Sequence, residues 1–249
     1  MIFKTVGIIG AGTMGSGIAT SLGQQGVAVV LVDTSQAAVD RGLAAAKKFY
    51  DRAAEKGKMS TQDADQAYGK LTGATDLSAL TDCDLIIEAI FEEFSVKEDL
   101  FKRLNAHLKP TTVVATNTSA LRVSELAETV EDPTRFLGLH YFNPAAINPI
   151  VEVVKGEKTD DTLFQKCVTF ITETAKKPIP CKDAYGFAIN RFFVPYGNEA
   201  VRLLDEGVGT TAQIDRVAQD CLGVAAGPFL VMNLVKPKIM FHAQRNLGP

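Results

Sequence analysis

His140 in Gly138-Leu139-His140-Tyr141-Phe142-Asn143-Pro144 and Glu152 in Ile150-Val151-Glu152-Val153-Val154 put an imidazole and a carboxylate twelve residues apart in one segment. An imidazole titrates near neutral pH, and a carboxylate partner orients it and stabilises its protonated form. Such a pair can draw a proton from a hydroxyl. Glu152 sits in an apolar run, where a buried carboxylate needs a partner, and His140 is the candidate. The other two histidines, His107 and His242, read as surface or structural. Glu92, Asn117 and Ser119 also fall at the ends of apolar runs. Ser119 could instead cap a helix beginning near Val123, with Ser124 as a competitor.

The pair gains a context from the start of the chain. Val6-Gly7-Ile8-Ile9 is a short apolar strand running into Gly10-Ala11-Gly12-Thr13-Met14-Gly15. Ser16 to Gln24 then has helical periodicity, Gly26 stops it, and Val27 to Val32 is a second strand ending at Asp33. The three glycines suit a tight turn, close approach of backbone to a pyrophosphate, and close helix–strand packing. The helix start supplies amides and a positive dipole end to phosphate. An acid lies 18 residues beyond the last glycine, near the spacing expected for a ribose-binding carboxylate. Gly10, Gly12, Thr13, Met14, Gly15 and Asp33 are therefore the cofactor-binding candidates. Asp33 favours NAD over NADP, because a carboxylate repels a 2′-phosphate. The alternative is a glycine-rich turn that serves packing alone. With a nicotinamide cofactor, an imidazole base points to hydride transfer.

These groups need a scaffold to bring them together. Residues 84–89, 113–116 and 135–140 read as strands and residues 96–108 as an amphipathic helix. Alternating strands and helices predict an α/β fold with a doubly wound sheet, whose ligands gather at the carboxyl ends of its strands. Residues 37–70 read as an excursion of two helices broken at Lys56-Gly57-Lys58-Met59-Ser60. Lys47, Lys48, Lys56 and Lys58 there are a solvated face or a receiver for an anionic substrate tail. After Pro178-Ile179-Pro180 the alternation stops, and helices are expected over 187–206, with Pro195 inside, and over 211–221. The expected domains are 1–182, a Rossmann-type unit, and 183–249, a smaller helical unit.

At 46% apolar and 22% charged residues the chain can bury a core, and its net charge of −3 argues against wholesale nucleic-acid binding. No apolar run has membrane-spanning length. The N-terminal residues lack a secretory or transit signature, so a cytoplasmic location is expected. Cys83, Cys167, Cys181 and Cys221 form no CxxC pair. They read as small buried thiols, and no metal site is expected.

The blocks Val6 to Gly15, Ile87-Glu88-Ala89-Ile90-Phe91-Glu92, Asn117-Thr118-Ser119, His140 to Pro144, Gly186-Phe187-Ala188-Ile189-Asn190-Arg191 and Gly227-Pro228-Phe229 together resemble the L-3-hydroxyacyl-CoA dehydrogenase family. The likeness runs from Val6 to about Asn233. It implies that His140 is the general base, Glu152 its orienting carboxylate, and Ser119 and Asn190 the polar groups around the substrate oxygen. It further implies that Glu92, Lys97, Ser119 and Asn143 line the nicotinamide end of the NAD site, that the substrate is a 3-hydroxyacyl-CoA, and that the chain dimerises through its helical domain. For Lys97 the plain alternative is a lysine on a helix surface. For Asn190 it is a partner for backbone groups at a helix end.

Two departures from the family pattern stand out. Ala145-Ala146-Ile147-Asn148-Pro149 occupies a stretch where the family usually carries Met and Leu, which leaves the acyl specificity open. Met232-Asn233-Leu234-Val235-Lys236-Pro237 replaces the usual ending, so the helical domain reads as incomplete. Two other functions compete: a dehydrogenase of a free hydroxy acid or sugar acid, and a non-catalytic NAD-binding module. The presence of His140, Glu152 and Asn190 together argues against the latter.

Overall fold

A computed structural model of the chain describes residues 1–235, so Lys236, Pro237 and His242 lie outside the described residues. The chain divides into two units, Met1–Asp183 and Ala184–Pro249.

The first unit is organised by strands too apolar to face water on either side. β4 (Leu85–Glu88) and β5 (Val113–Thr116) are buried at every residue. Such strands are stable only with both sheet faces covered. With β1 (Thr5–Ile9), β2 (Ala28–Val32), β3 (Leu71–Ala74), β6 (Phe136–Tyr141), β7 (Ile150–Lys155) and β8 (Lys177–Lys182) they form one eight-stranded sheet. Its order is β3-β2-β1-β4-β5-β6-β7-β8. All neighbours are parallel except the antiparallel β6–β7 pair. The strand order reverses between β1 and β4, which puts the switch point beside the glycine turn. α1 (Thr13–Gln24), α2 (Gln36–Glu55), α3 (Thr61–Tyr68), α4 (Phe94–Leu104), α5 (Val123–Ala127) and α6 (Asp161–Glu173) make the connections.

The two-helix excursion is α2 and α3, separated at Lys56–Ser60. Its four lysines are exposed, and Lys47 is held by Asp51 at 2.9 Å. The helix expected over 96–108 ends at Leu104 and continues as a short 3-10 turn, Asn105–His107, in which His107 is half-buried.

Two strands escape the sequence reading. β3 is four residues of mixed polarity at one edge. β8 contains Pro178 and Pro180, which look like linker punctuation. It is the opposite edge strand, and the amides of Lys177 and Asp183 bond to β7 or its approach. Pro178 and Pro180 therefore point their missing donors away from the sheet, the one place a strand tolerates them. The cysteines also need correction. Cys83 and Cys167 are buried, with desolvation pushing their thiols up to about 11 and about 12, but Cys181 is half-buried and Cys221 is exposed.

In the second unit α7 (Ile189–Asp205), α8 (Thr211–Leu222) and α9 (Pro228–Val235) follow one another. α7 begins two residues later than its periodicity suggests. Gly186 and Phe187 have φ of 74° and 49°, a left-handed geometry that cannot belong to the helix. Pro195 lies inside α7 and withholds one intrahelical donor. Thr210 and Gln213 form a reciprocal capping box on α8. Asp215 accepts the amides of Phe229 (2.7 Å) and Leu230 (3.1 Å) at the start of α9. A Cβ on Gly227 would come within 2.4 Å of Asp215, so this turn requires glycine. Among the described residues no helix is long and apolar enough to cross a membrane.

Candidate active site

Strand register does most of the work of assembling the site. Ile9 stands beside Val32 and Glu88, Glu88 beside Thr116, and Thr116 beside Gly138. The segments leaving β1, β2, β4, β5 and β6 therefore start from one edge of the sheet. His140 and Glu152 lie directly opposite each other across the antiparallel β6–β7 ladder. Their twelve-residue separation becomes a side-chain contact because the loop 142–149 closes the hairpin.

His140 Nδ1 lies 2.8 Å from Glu152 Oε2, with Glu152 wholly buried and His140 nearly so. A carboxylate can only accept, so Nδ1 carries the hydrogen and the ring's lone pair is on Nε2. The His140 ring rests against Phe142, centroids 4.3 Å apart. Asn117 Oδ1 accepts the amide of Tyr141 at 2.9 Å, tying the end of β5 to the end of β6.

A second cluster stands where β4 and β5 end. Lys97, from the first turns of α4, is only 1% exposed and pairs with both Glu88 and Glu92. The plain alternative of a surface lysine is thus excluded. Glu88 has a partner on each oxygen: Lys97 and the Ile90 amide on Oε1, and the Thr116 hydroxyl at 2.6 Å on Oε2. Glu92 Oε1 accepts from the Thr118 hydroxyl (2.6 Å), the Ser119 amide (2.7 Å), the Ser119 hydroxyl (3.2 Å) and the Ala120 amide (3.1 Å). Burial pushes the Glu92 carboxyl up, but the Lys97 ammonium and these hydrogen bonds outweigh it and hold the carboxyl below its ordinary value. Ser119 therefore belongs to this cluster. It does not cap α5, whose first amides, on Val123 and Ser124, donate to Asp183. Glu88, Thr116 and Thr118 carry the cluster and were not singled out from sequence. Glu88 offered one signal, a charged residue ending an otherwise apolar strand.

The glycine turn fits a dinucleotide. Gly10 has φ of 103°, and a Cβ there would meet the Ala89 carbonyl at 2.6 Å. A Cβ on Gly15 would fall 1.8 Å from the Gly10 carbonyl oxygen. Both glycines are demanded by the chain's own packing. Gly12 is different: its φ is an ordinary −72°, and an added Cβ would meet nothing within 4 Å. The fold does not require glycine at this position, at the uncapped start of α1, whereas a pyrophosphate laid against the Thr13 and Met14 end of the helix would. Asp33, closing β2, accepts the Ala11 amide on Oδ2 at 2.8 Å and so holds the turn beside its carboxylate.

Asn143 is exposed at the start of the loop after β6. Asn190 is half-buried in the first turn of α7, in the second unit. The first unit thus brings together His140 with Glu152, and Glu92 with Lys97 and Ser119. Among the described residues no group of three or more His, Cys, Asp or Glu side chains could hold a metal ion.

A family described as "3-hydroxyacyl-CoA dehydrogenase, NAD binding domain" matches residues 5–184, and one described as "3-hydroxyacyl-CoA dehydrogenase, C-terminal domain" matches residues 186–248. A probable 3-hydroxybutyryl-CoA dehydrogenase of Deinococcus radiodurans is 37% identical over 92% of this chain and 82% of its own length. A 3-hydroxybutyryl-CoA dehydrogenase of Mycobacterium tuberculosis is 36% identical over 93% and 82%. The crystal structure of (S)-3-hydroxybutyryl-CoA dehydrogenase from Ralstonia eutropha superposes with a TM-score of 0.95 at 33% identity, covering 98% of this chain and 87% of that one. With two family matches spanning nearly all 249 residues, and the glycine turn and the His140–Glu152 pair falling within the first, the chain belongs to the 3-hydroxyacyl-CoA dehydrogenase family.

Proposed function

We propose that the chain oxidises the C3 hydroxyl of an (S)-3-hydroxyacyl-CoA to the ketone, and runs the reverse reduction, with NAD as cofactor. The observation that carries this reading is the buried His140–Glu152 pair, with Nδ1 committed to the carboxylate at 2.8 Å. His140 takes the hydroxyl proton at Nε2, and the facing Glu152 carboxylate stabilises the imidazolium that results. Asn190 donates a hydrogen bond to the substrate oxygen as its charge changes, and the Ser119 hydroxyl does so by turning from Glu92, which keeps the Ser119 amide. Glu92, Lys97, Ser119 and Asn143 border the nicotinamide end of the cofactor. Asp33 binds ribose hydroxyls and disfavours a 2′-phosphate. Gly10, Gly12, Gly15 and the α1 amides at Thr13 and Met14 receive the pyrophosphate. NAD⁺, when bound, supplies the hydride acceptor; the chain supplies the base, its orientation and the hydrogen bonds.

The test is NADH-linked reduction of acetoacetyl-CoA beside a panel of free 3-oxo acids. Turnover of the thioester supports the reading. Turnover of free acids alone would overturn it in favour of a dehydrogenase of non-CoA acids. His140→Ala should abolish turnover while NAD affinity stays within about twofold; an active variant removes His140 from the mechanism. The reading extends to a homodimer through the second unit, supported by exposed apolar side chains at Val201, Val208, Val217 and Leu222. A monomer in sedimentation equilibrium would contradict that part alone.

A further inference from the structure

The loop from Phe142 to Pro149 joins the strand of the base to the strand of its carboxylate, and it is built more firmly than a connection requires. The amides of Ile147 and Asn148 both donate to the Pro144 carbonyl, at 3.0 and 2.9 Å. The Ile150 amide donates to Asn148 Oδ1 at 3.1 Å, and the Lys177 amide to the Pro149 carbonyl at 2.6 Å. Ala145 is buried against α1, where a Cβ on Gly17 would already be 3.2 Å from its methyl group. The ammonium of Lys176 donates to the carbonyls of Ala145 (2.8 Å) and Asn148 (2.7 Å), which bracket residue 147. Lys176 is only 8% exposed, and burial holds its ammonium below the ordinary lysine value. Burying an ammonium is costly unless its donors are satisfied, and here its partners are two main-chain carbonyls of this one loop.

This fixed frame presents one large apolar side chain to solvent: Ile147 is 64% exposed. An exposed isoleucine is unremarkable by itself. This one stands on a hydrogen-bonded turn seven residues after His140, in the loop that leaves the base's strand at the end where the base would meet the reacting carbon. In a 3-hydroxyacyl thioester the alkyl chain leaves from that carbon.

We propose that Ile147 is the side chain that reads the substrate's acyl chain, and that Lys176 is the positioning residue that holds it in place. The inference rests on the acyl-CoA reading above. Ile147 gives an alkyl chain an apolar wall, and Lys176 acts through the loop without touching substrate.

The measurement is the ratio of kcat/KM for 3-oxodecanoyl-CoA to that for acetoacetyl-CoA, because general damage to the enzyme cancels in a ratio. Ile147→Ala should shift it at least about fivefold and Ile147→Asp more than about tenfold against the longer chain, as expected for lost apolar contact. Lys176→Met should shift the ratio in the same direction with the KM for NADH within about twofold. If Lys176→Met does not fold, Lys176→Arg keeps the charge on a larger planar head that does not fit the ammonium's place without shifting the loop, and should still shift the ratio about threefold. An unchanged ratio in both Ile147 variants overturns the proposal. An unchanged ratio in a folded Lys176 variant removes Lys176 from it. A wild-type enzyme inactive on both thioesters would refute the acyl-CoA reading itself; activity on both with unchanged variants would refute only this inference.

Discussion

Replacing Glu152 by Gln tests the central pair with the least change in shape. The carboxylate lies 2.8 Å from Nδ1 with no solvent exposure, so neither water nor salt screens it. Once His140 has taken a proton, imidazolium and carboxylate form an ion pair whose charge centres are about 4 Å apart, worth roughly 4 kcal/mol at an effective dielectric of about 20. A neutral amide retains a hydrogen bond but loses most of that term, leaving a deficit of about 2–4 kcal/mol. At about 1.4 kcal/mol per decade, kcat for 3-hydroxybutyryl-CoA oxidation should fall roughly 30- to 1,000-fold. Should the amide nitrogen face Nδ1, it would force the proton onto Nε2 and remove the base outright, so the loss would be larger. Because the ion pair exists only after proton transfer, kcat and kcat/KM should fall together while the KM for NAD⁺ stays within about twofold. The assay is steady-state formation of NADH, with a thermal melt confirming that the variant is folded. A folded Glu152→Gln enzyme whose kcat stays within about threefold of wild type would refute the reasoning, because the carboxylate would then be structural.

Glu88→Ala should cost about 3–5 kcal/mol in urea unfolding, because it strips Lys97 of its closest partner and leaves a buried ammonium facing Glu92 alone; a loss below about 1 kcal/mol would show that the cluster relaxes to solvent. Gly12→Ala should leave the urea midpoint nearly unchanged, since its Cβ meets no atom of the chain, yet raise the KM for NAD⁺ at least about tenfold. Gly15→Ala, whose Cβ would strike the Gly10 carbonyl, should instead damage the fold. At low pH the sign for Glu92 is fixed by its depressed folded value: its stabilisation is present above the unfolded carboxylate value and is lost as pH falls through the folded one. Glu92→Gln should therefore flatten the acid side of a stability–pH profile, and an unaltered slope would contradict the assignment. Ala175 ends α6 with φ of 57°, and the Ala175 and Lys176 amides donate back to Thr172 and Ile171. This is the Schellman position normally taken by glycine, so Ala175→Gly should raise stability by roughly 0.5–1 kcal/mol in the same unfolding experiment.

What the sequence made legible depended on how local each cause was. The glycine turn and Asp33 could be read because their chemistry lies within one strand–helix–strand unit. Glu152 could be matched to His140 because a buried carboxylate in a strand demands a partner and few histidines were available. β8 was missed because two prolines deny a strand only when both of its edges are bonded, and nothing local tells that Lys177–Lys182 is an outer edge. The Glu88–Lys97–Glu92 cluster was missed in part for a similar reason. Lys97 looks like a surface lysine of an amphipathic helix until α4 is laid against the ends of β4 and β5, which buries it between two carboxylates. Lys176 shows the same limit most sharply. Nothing in Ala175-Lys176-Lys177 marks its charge as buried. Only the return of the chain into β8 carries it under the loop that His140 and Glu152 share, where its ammonium replaces water for two carbonyls. Residues that react announce themselves by type, whereas residues that hold them in place are disclosed by topology.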